Sequence, residues 1–261
     1  MKINEISDML KNAPPIKLPG LISEFEGDER AGVQKAVISA KKRLDAHKKE
    51  LVRLDEMFYF EKKYLPECPI ICGIDEVGRG PLAGPVVAGA VVLPPDVLAR
   101  LDDPDGMHIE GLNDSKQVSA KRREALYDEI TDKAIACGIG VIPPSRIDEI
   151  NILQATYEAM RLAIEDLEVV PDMLLNDAVN IPDVPIRQVG IVKGDARSLS
   201  IAAASIVAKV TRDRMMVEMA ELYPEYGFDK HVGYGTAVHI QAIRDHGPCP
   251  IHRRTFITKF V

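Results

Sequence analysis

No run of 18 apolar residues occurs in the 261-residue chain, so no membrane-spanning helix is expected. The N-terminal stretch MKINEISDMLKNAPP lacks the apolar segment of a signal peptide. Cysteine is scarce, and Cys68, Cys72, Cys137 and Cys249 show neither C-x-x-C spacing nor a paired framework. That pattern fits scattered buried thiols in a reducing cytoplasm rather than a disulfide scaffold. Internal repeats and low-complexity tracts are absent too. An excess of positive charge is also missing, with a net charge of −7 and a pI near 5.5, which taken alone argues against a nucleic-acid partner.

What is present supports one large domain, or one domain with an appendage. Apolar residues make up 46% of the chain, enough for a substantial core. The charge is uneven: residues 71–192 carry 21 acidic against 10 basic side chains, whereas residues 193–261 carry 10 basic against 7 acidic. An acidic centre beside a basic neighbour would produce these numbers, as would a solvated acidic surface.

Residues 1–68 differ from the remainder. Between Pro19 and Pro66 there is no proline, and residues 31–64 read as one long helix with Val37, Leu44, Leu51 and Phe58 recurring every seven positions. Packing on its own domain or on a hairpin partner is the default for such a stripe. The sharper alternative is a grip on an anionic polymer through Lys41, Lys42, Arg43, Lys48 and Lys49. From Pro69 onward the pattern becomes strand-like: IICGID and PVVAGAVVL are short buried runs joined by a turn containing Gly78, Gly80 and Gly84. Ser119 predicts the N-cap of a helix, followed by the strand CGIGVI. Ser145 with Asp148 predicts a capping box for a helix over 145–167. Strands at DMLLND and IRQVGIV, a long helix over 199–223 and a shorter one over 236–247 complete a mixed α/β pattern with helices on the sheet faces.

Three strand-like segments end in acid: IICGIDE at Asp75 and Glu76, DMLLND at Asp177, and VGIVKGD at Asp195. Ligand sites of open α/β sheets gather at strand ends. A lone Asp there is commonly a turn former or a helix cap, but an adjacent acid pair closing an apolar run has few such explanations. If the three ends are neighbours, four carboxylates share one small volume and must be balanced by cations. Oxygen donors without histidine or cysteine favour Mg²⁺ or Mn²⁺. Two such ions about 3.5–4 Å apart are the known device for in-line displacement at phosphorus.

The stretches GIDEVGRGPLAGPVVAGAVVL, LNDSK, KGDARSLSIAAASIVAKVTRD and YPEYGFDKHVGYGT…GPCPIHRRTF together resemble bacterial ribonuclease HII, in order and spacing, over roughly residues 69–256. Arg79 between Gly78 and Gly80 favours this family over its sister, ribonuclease HIII. The resemblance implies an α/β ribonuclease H-like fold, a mixed β-sheet flanked by helices, with residues 1–68 as a helical extension and possible substrate-binding aid. Residues 69–261 would be the catalytic domain, including a C-terminal helical substrate-binding part. It implies a monomeric endonuclease of the cytoplasm, active in ribonucleotide excision. Its substrates would be RNA–DNA hybrids and duplex DNA containing ribonucleotides, cut on the 5′ side of a ribonucleotide to leave 3′-hydroxyl and 5′-phosphate ends. By motif position, Asp75, Glu76, Asp177 and Asp195 match the metal-binding acids for Mn²⁺ or Mg²⁺. Gly78, Arg79, Gly80 and Tyr234 match the elements that sense the 2′-hydroxyl, the group that distinguishes RNA from DNA locally. Asn113, Ser115 and Lys116 match a phosphate-contacting loop, with Ser205 and Lys209 as further substrate contacts.

Read without the resemblance, Tyr234 is an aromatic packing a loop, as Tyr226 is, and Lys209 and Arg212 are surface charges at helical spacing. The run Ala202 to Ser205 indicates close helix packing. The sequence departs from the family pattern at Asn176, where an apolar residue is commoner, and at Gln117 and Val232, where lysine is commoner. The last two remove positive charge from the expected nucleic-acid path. Two other readings compete. A phosphate cradle at GRGPLAG lacks the Lys-Ser/Thr that should follow its glycines. A binding protein without catalysis would place acids against phosphate for no benefit.

Overall fold

The computed structural model describes residues 1–95 and 109–261. Five strands form one mixed sheet: β1 (Ile71–Val77), β2 (Val86–Val92), β3 (Ala136–Ile142), β4 (Met173–Asp177) and β5 (Arg187–Ile191), in the order β3-β2-β1-β4-β5. The first three are antiparallel neighbours, whereas β4 runs parallel to β1 and β5 parallel to β4. This topology sends the chain out of β1, β4 and β5 at the same sheet edge, which is where the acids lie.

Both sheet faces are covered, which is why β2 reads as a continuous apolar run rather than an alternating one. On one face Cys72, Ile74, Val86, Ala88 and Leu174 meet Ala155, Ala159, Met160 and Ala163 of a long helix, Pro144–Glu165. On the other lies the helix Leu199–Leu222, whose Ala202, Ala203 and Ala204 are fully buried, as the small-residue run predicted. Close approach needs bare backbone in the strands: a Cβ on Gly73 would stand 2.0 Å from the Ser200 carbonyl carbon, and one on Gly140 would stand 1.8 Å from the Ala159 oxygen.

In chain order the described helices of eight or more residues are α1 (Ile3–Asn12), α2 (Leu18–Phe25), α3 (Ala31–Met57), α4 (Ala120–Lys133), α5 (Pro144–Glu165), α6 (Leu199–Leu222) and α7 (Ala237–His246). The helix expected over 31–64 is broken: α3 ends at Met57, and a separate short helix, Tyr59–Tyr64, follows a bend at Phe58. The seven-residue stripe serves two cores. Val37 and Leu44 pack with α1 and α2, while Leu51, Leu54, Met57 and Phe58 enter the core beneath α6. The bend lets the next helix bury Glu61, whose carboxylate accepts the Ser198 hydroxyl (2.6 Å) and the Ser200 N–H (2.9 Å) at the start of α6. Arg43, one of the residues offered for an anionic polymer, instead donates to the Lys11 and Ala13 carbonyls and ties α3 to α1. Lys41 pairs with Glu26 at 3.1 Å.

Two local expectations change. Ser119 caps α4 as expected, accepting from the Arg122 N–H. The Ser145–Asp148 capping box does not form, because α5 starts one residue earlier, at Pro144. Asp148 instead accepts the backbone N–H groups of Arg254 (2.7 Å) and Thr255 (3.0 Å), capping the C-terminal turn Arg254–Ile257. Within α5 the helix breaks at Asn151 (φ 69°), whose side chain caps the restart at Leu153 and Gln154. All four cysteines are free, three of them buried. Among the described residues no helix is long and apolar enough to cross a membrane.

Candidate active site

Asp75 and Asp177 stand one step beyond the paired Ile74 and Asn176 on adjacent parallel strands. Neighbouring strands lie about 4.8 Å apart, so the register alone makes these carboxylates neighbours. The Gly194 N–H donates to Asp177 Oδ1 at 2.7 Å, drawing in the turn that carries Asp195. Asp75 Oδ1 accepts the N–H of Glu76 at 2.8 Å. Burial, then the charge of Glu76 and then that of Asp177, pushes the Asp75 carboxyl well above its ordinary value, against a hydrogen bond from Ser205. Burial likewise raises Glu76, opposed by its ion pair with Arg79 at 3.0 Å. Asp195 is raised by burial and by Asp114 and Asp177. The structure thus brings Asp177 within electrostatic reach of Asp75, Glu76 and Asp195.

Two cations of the chain sit among them. Arg79 takes one oxygen of Glu76, and Lys116 is held above its ordinary pKa, against burial, by Asp114, Asp75 and Asp195. Among the described residues, no three acidic, histidine or cysteine side chains close into a group that could enclose a metal ion. Other features fit a divalent cation nonetheless. Among the described residues Glu76 Oε2 is buried with no hydrogen-bond partner, the donors are all hard oxygens, and burial together with neighbouring acids presses three of the carboxyls toward protonation. Asp75, Glu76, Asp177 and Asp195 are the residues that could hold such an ion.

The loop carrying Asn113, Ser115 and Lys116 adjoins this edge. Its Ser115 and the α6 residue Ser205 are both 4% exposed and hydrogen-bonded to each other at 3.0 Å, and Ser205 lies near enough to Asp75 to favour its charged form. In this arrangement the two serines link the loop to the acid rather than facing solvent. Asn113 accepts from the Asp114 N–H at 2.9 Å. Asp114, passed over in the sequence, acts on both Lys116 and Asp195, and its place inside the LNDSK motif was the available signal. Lys209 is engaged by Asp213 at 2.7 Å, one helical turn on.

Tyr234 is 42% exposed, and a Cβ on Gly80 would stand 4.0 Å from its ring, with nothing nearer. Gly78 differs: at φ +88° its Cβ would lie 2.2 Å from Arg212 Nε. Glycine at 78 is thus required by the protein itself, whereas the space beside Gly80 is open. Arg212, read from sequence as a surface charge, is fully buried, as is Arg253. Tyr226 packs as expected, stacked on Phe228 with its hydroxyl donated to the Gly247 carbonyl at 2.7 Å. Asn176 is buried on the sheet face away from α6 and ties Val179 to Gln188, bracing the turn after Asp177.

The chain matches the family model described as Ribonuclease HII over residues 72–259, and the one described as Ribonuclease HII N-terminal domain over residues 2–65. It is 54% identical over 257 residues to a ribonuclease HII from Lachnoclostridium phytofermentans, covering 98% of this chain and 97% of that protein. Identity to the ribonuclease HII of Acetivibrio thermocellus is 52% over 246 residues, covering 94% and 91%. Among solved structures, that of ribonuclease H2 from Pyrococcus horikoshii OT3 matches with a TM-score of 0.59 and 28% identity, covering 73% of this chain and 96% of that one.

Proposed function

The chain belongs to the ribonuclease HII family, endoribonucleases of the ribonuclease H type that cleave the RNA of RNA–DNA hybrids, and from this premise we propose that it also cuts duplex DNA at single embedded ribonucleotides. The cut falls on the 5′ side of the ribonucleotide and leaves 3′-hydroxyl and 5′-phosphate ends. The observation that carries this reading is the adjacency of two features: four acids on one sheet edge, and a bare Gly80 backbone opposite the half-exposed Tyr234 ring.

Asp75, Glu76, Asp177 and Asp195 hold Mg²⁺ or Mn²⁺ in this proposal. Bound there, two ions supply the charge neutralisation and water activation that in-line displacement at phosphorus requires. The chain's own residues do the rest. Lys116 offers a cation to the phosphate backbone beside the acids, and Asn113 shapes its loop. Tyr234 offers a ring face to a sugar, and the loop at Gly78–Gly80 lets backbone approach the ribose without a Cβ in the way. The hydrogen bond between Ser115 and Ser205 holds the Asn113–Lys116 loop against α6 beside Asp75. The N-terminal helices add positive side chains, Lys42, Lys48 and Lys49 among them, as an aid to substrate binding. The enzyme acts as a monomer in the cytoplasm, in ribonucleotide excision.

A labelled duplex with one ribonucleotide, incubated with Mg²⁺ or Mn²⁺ beside an all-DNA control, tests this. One metal-dependent cut 5′ to the ribonucleotide is expected. Asp75→Asn and Glu76→Gln should each lower the rate by at least about 10³-fold, since an interaction made at the reacting phosphate is lost. Near-normal turnover by either variant would remove these acids from the mechanism.

A further inference from the structure

Two guanidiniums lie under the glycine loop, both 0% exposed. Arg212 donates to the carbonyls of Pro85 (2.9 Å), Val232 (3.0 Å) and Ala83 (3.1 Å). Arg253 donates to those of Gly84 (3.0 Å), Arg79 (2.9 Å) and Gly78 (2.5 Å). Among the described residues no carboxylate forms an ion pair with either. Burying an unpaired cation is costly, and here backbone oxygens offset the cost, joined at Arg253 by the Phe256 ring 5.2 Å from the guanidinium carbon. The same loop is stitched to the Tyr234 segment: Leu82 and Ala83 N–H groups both donate to the Gly233 carbonyl, and Arg253 N–H donates to Leu82.

A trans peptide is planar, so a carbonyl turned inward points the following N–H the opposite way. With the Gly78 and Arg79 oxygens drawn onto Arg253, the N–H groups of Arg79 and Gly80 face away from the guanidinium. Neither donor has an acceptor among the described residues. Successive backbone N–H groups of this kind suit an electron-rich oxygen of a sugar or phosphate.

We infer that Arg253, assisted by Arg212, is the positioning residue for ribonucleotide recognition. It fixes the carbonyls of Gly78 and Arg79 inward, and thereby presents the Arg79 and Gly80 amides to the ribose and the Tyr234 ring to the next, deoxyribose sugar as one rigid unit. This rests on the reading above that the loop meets the ribose. Arg253 itself touches no substrate, and its fork of three donors, which a lysine cannot reproduce, is the working feature.

The test compares cleavage at one ribonucleotide with cleavage at its 2′-fluoro analogue in the same duplex. The ratio of the two kcat/KM values is independent of the fraction of active protein, so a merely destabilised enzyme leaves it unchanged. Arg253→Lys should lower this ratio at least tenfold, and a folded Arg253→Lys with the ratio within twofold of the parent overturns the inference. If that variant does not fold, Arg212→Lys takes its place: a threefold or greater loss supports the inference and an unchanged ratio overturns it. Failure of both to fold would make the guanidiniums determinants of folding, and also overturns it. Gly80→Ala, whose Cβ meets no protein atom closer than 4.0 Å, tests the underlying reading separately. If folded Gly80→Ala cleaves as well as the parent, the loop does not meet the ribose. If it is impaired while Arg253→Lys is not, only the positioning role is lost.

Discussion

At the scale of single residues, Glu61 shows how a buried carboxylate is tolerated away from the acids of the site. It is fully buried, one oxygen accepts from Ser198 and Ser200, and the other has no partner among the described residues. Burial raises its carboxyl above the ordinary 4.5, against those hydrogen bonds. The folded protein therefore keeps a proton that the unfolded chain releases, and Glu61 contributes stability below pH 4.5 that is lost as pH rises through the raised folded value. Glu61→Gln keeps the accepting oxygen and removes the ionisation, so its thermal midpoint should fall less than that of the parent as pH rises above 4.5. Parallel pH curves would reject this account. Glu61→Ala strands two buried donors and should cost about 2–4 kcal/mol in chemical denaturation.

At the scale of elements, the two halves of α3 have different work. The first half completes a helical cluster with α1 and α2 through Val33, Val37 and Ala40. The second half braces the segment leading into the Asn113–Lys116 loop: Glu50 accepts the Gly111 N–H at 2.9 Å, and Arg53 donates to the Leu112 carbonyl at 2.7 Å. Removal of residues 1–43 should leave a folded enzyme that cuts at the same position, with KM raised several-fold at low salt and less so at high salt, where the parent's phosphate contacts weaken too. Removal of residues 1–68 takes Leu54, Met57, Phe58 and Glu61 out of the main core and should abolish cooperative unfolding. A well-folded, fully active product of the longer deletion would contradict the division of α3 drawn here.

At the scale of the molecule, stability and activity pull against each other at the acid edge. Asp75, Glu76 and Asp195 are held close, partly buried and short of positive charge, which destabilises the metal-free fold. A cation that binds only the folded state stabilises it by about 2.7 kcal/mol at a hundred times its Kd. Mn²⁺ should therefore raise the thermal midpoint, and EDTA should return it. Asp75→Asn should melt at or above the metal-free parent and respond little to Mn²⁺. A parent enzyme indifferent to Mn²⁺ would place the ions elsewhere.

Local chemistry made much of this protein legible in its amino-acid order. Apolar runs closed by acids marked β1 and β4, the glycines marked the β1–β2 turn, and Ser119 marked a helix start, because each depends on residues a few positions apart. The acid edge followed from strand ends together with the motif set. Charge burial, by contrast, was decided only by tertiary contacts. Arg253 meets Gly78 from 175 positions away, and Glu61 meets Ser198 from 137. A charged residue in sequence reads as solvated because water is its cheapest partner. Whether backbone carbonyls or hydroxyls replace that water depends on which distant segments the sheet brings over it, and no local pattern records that.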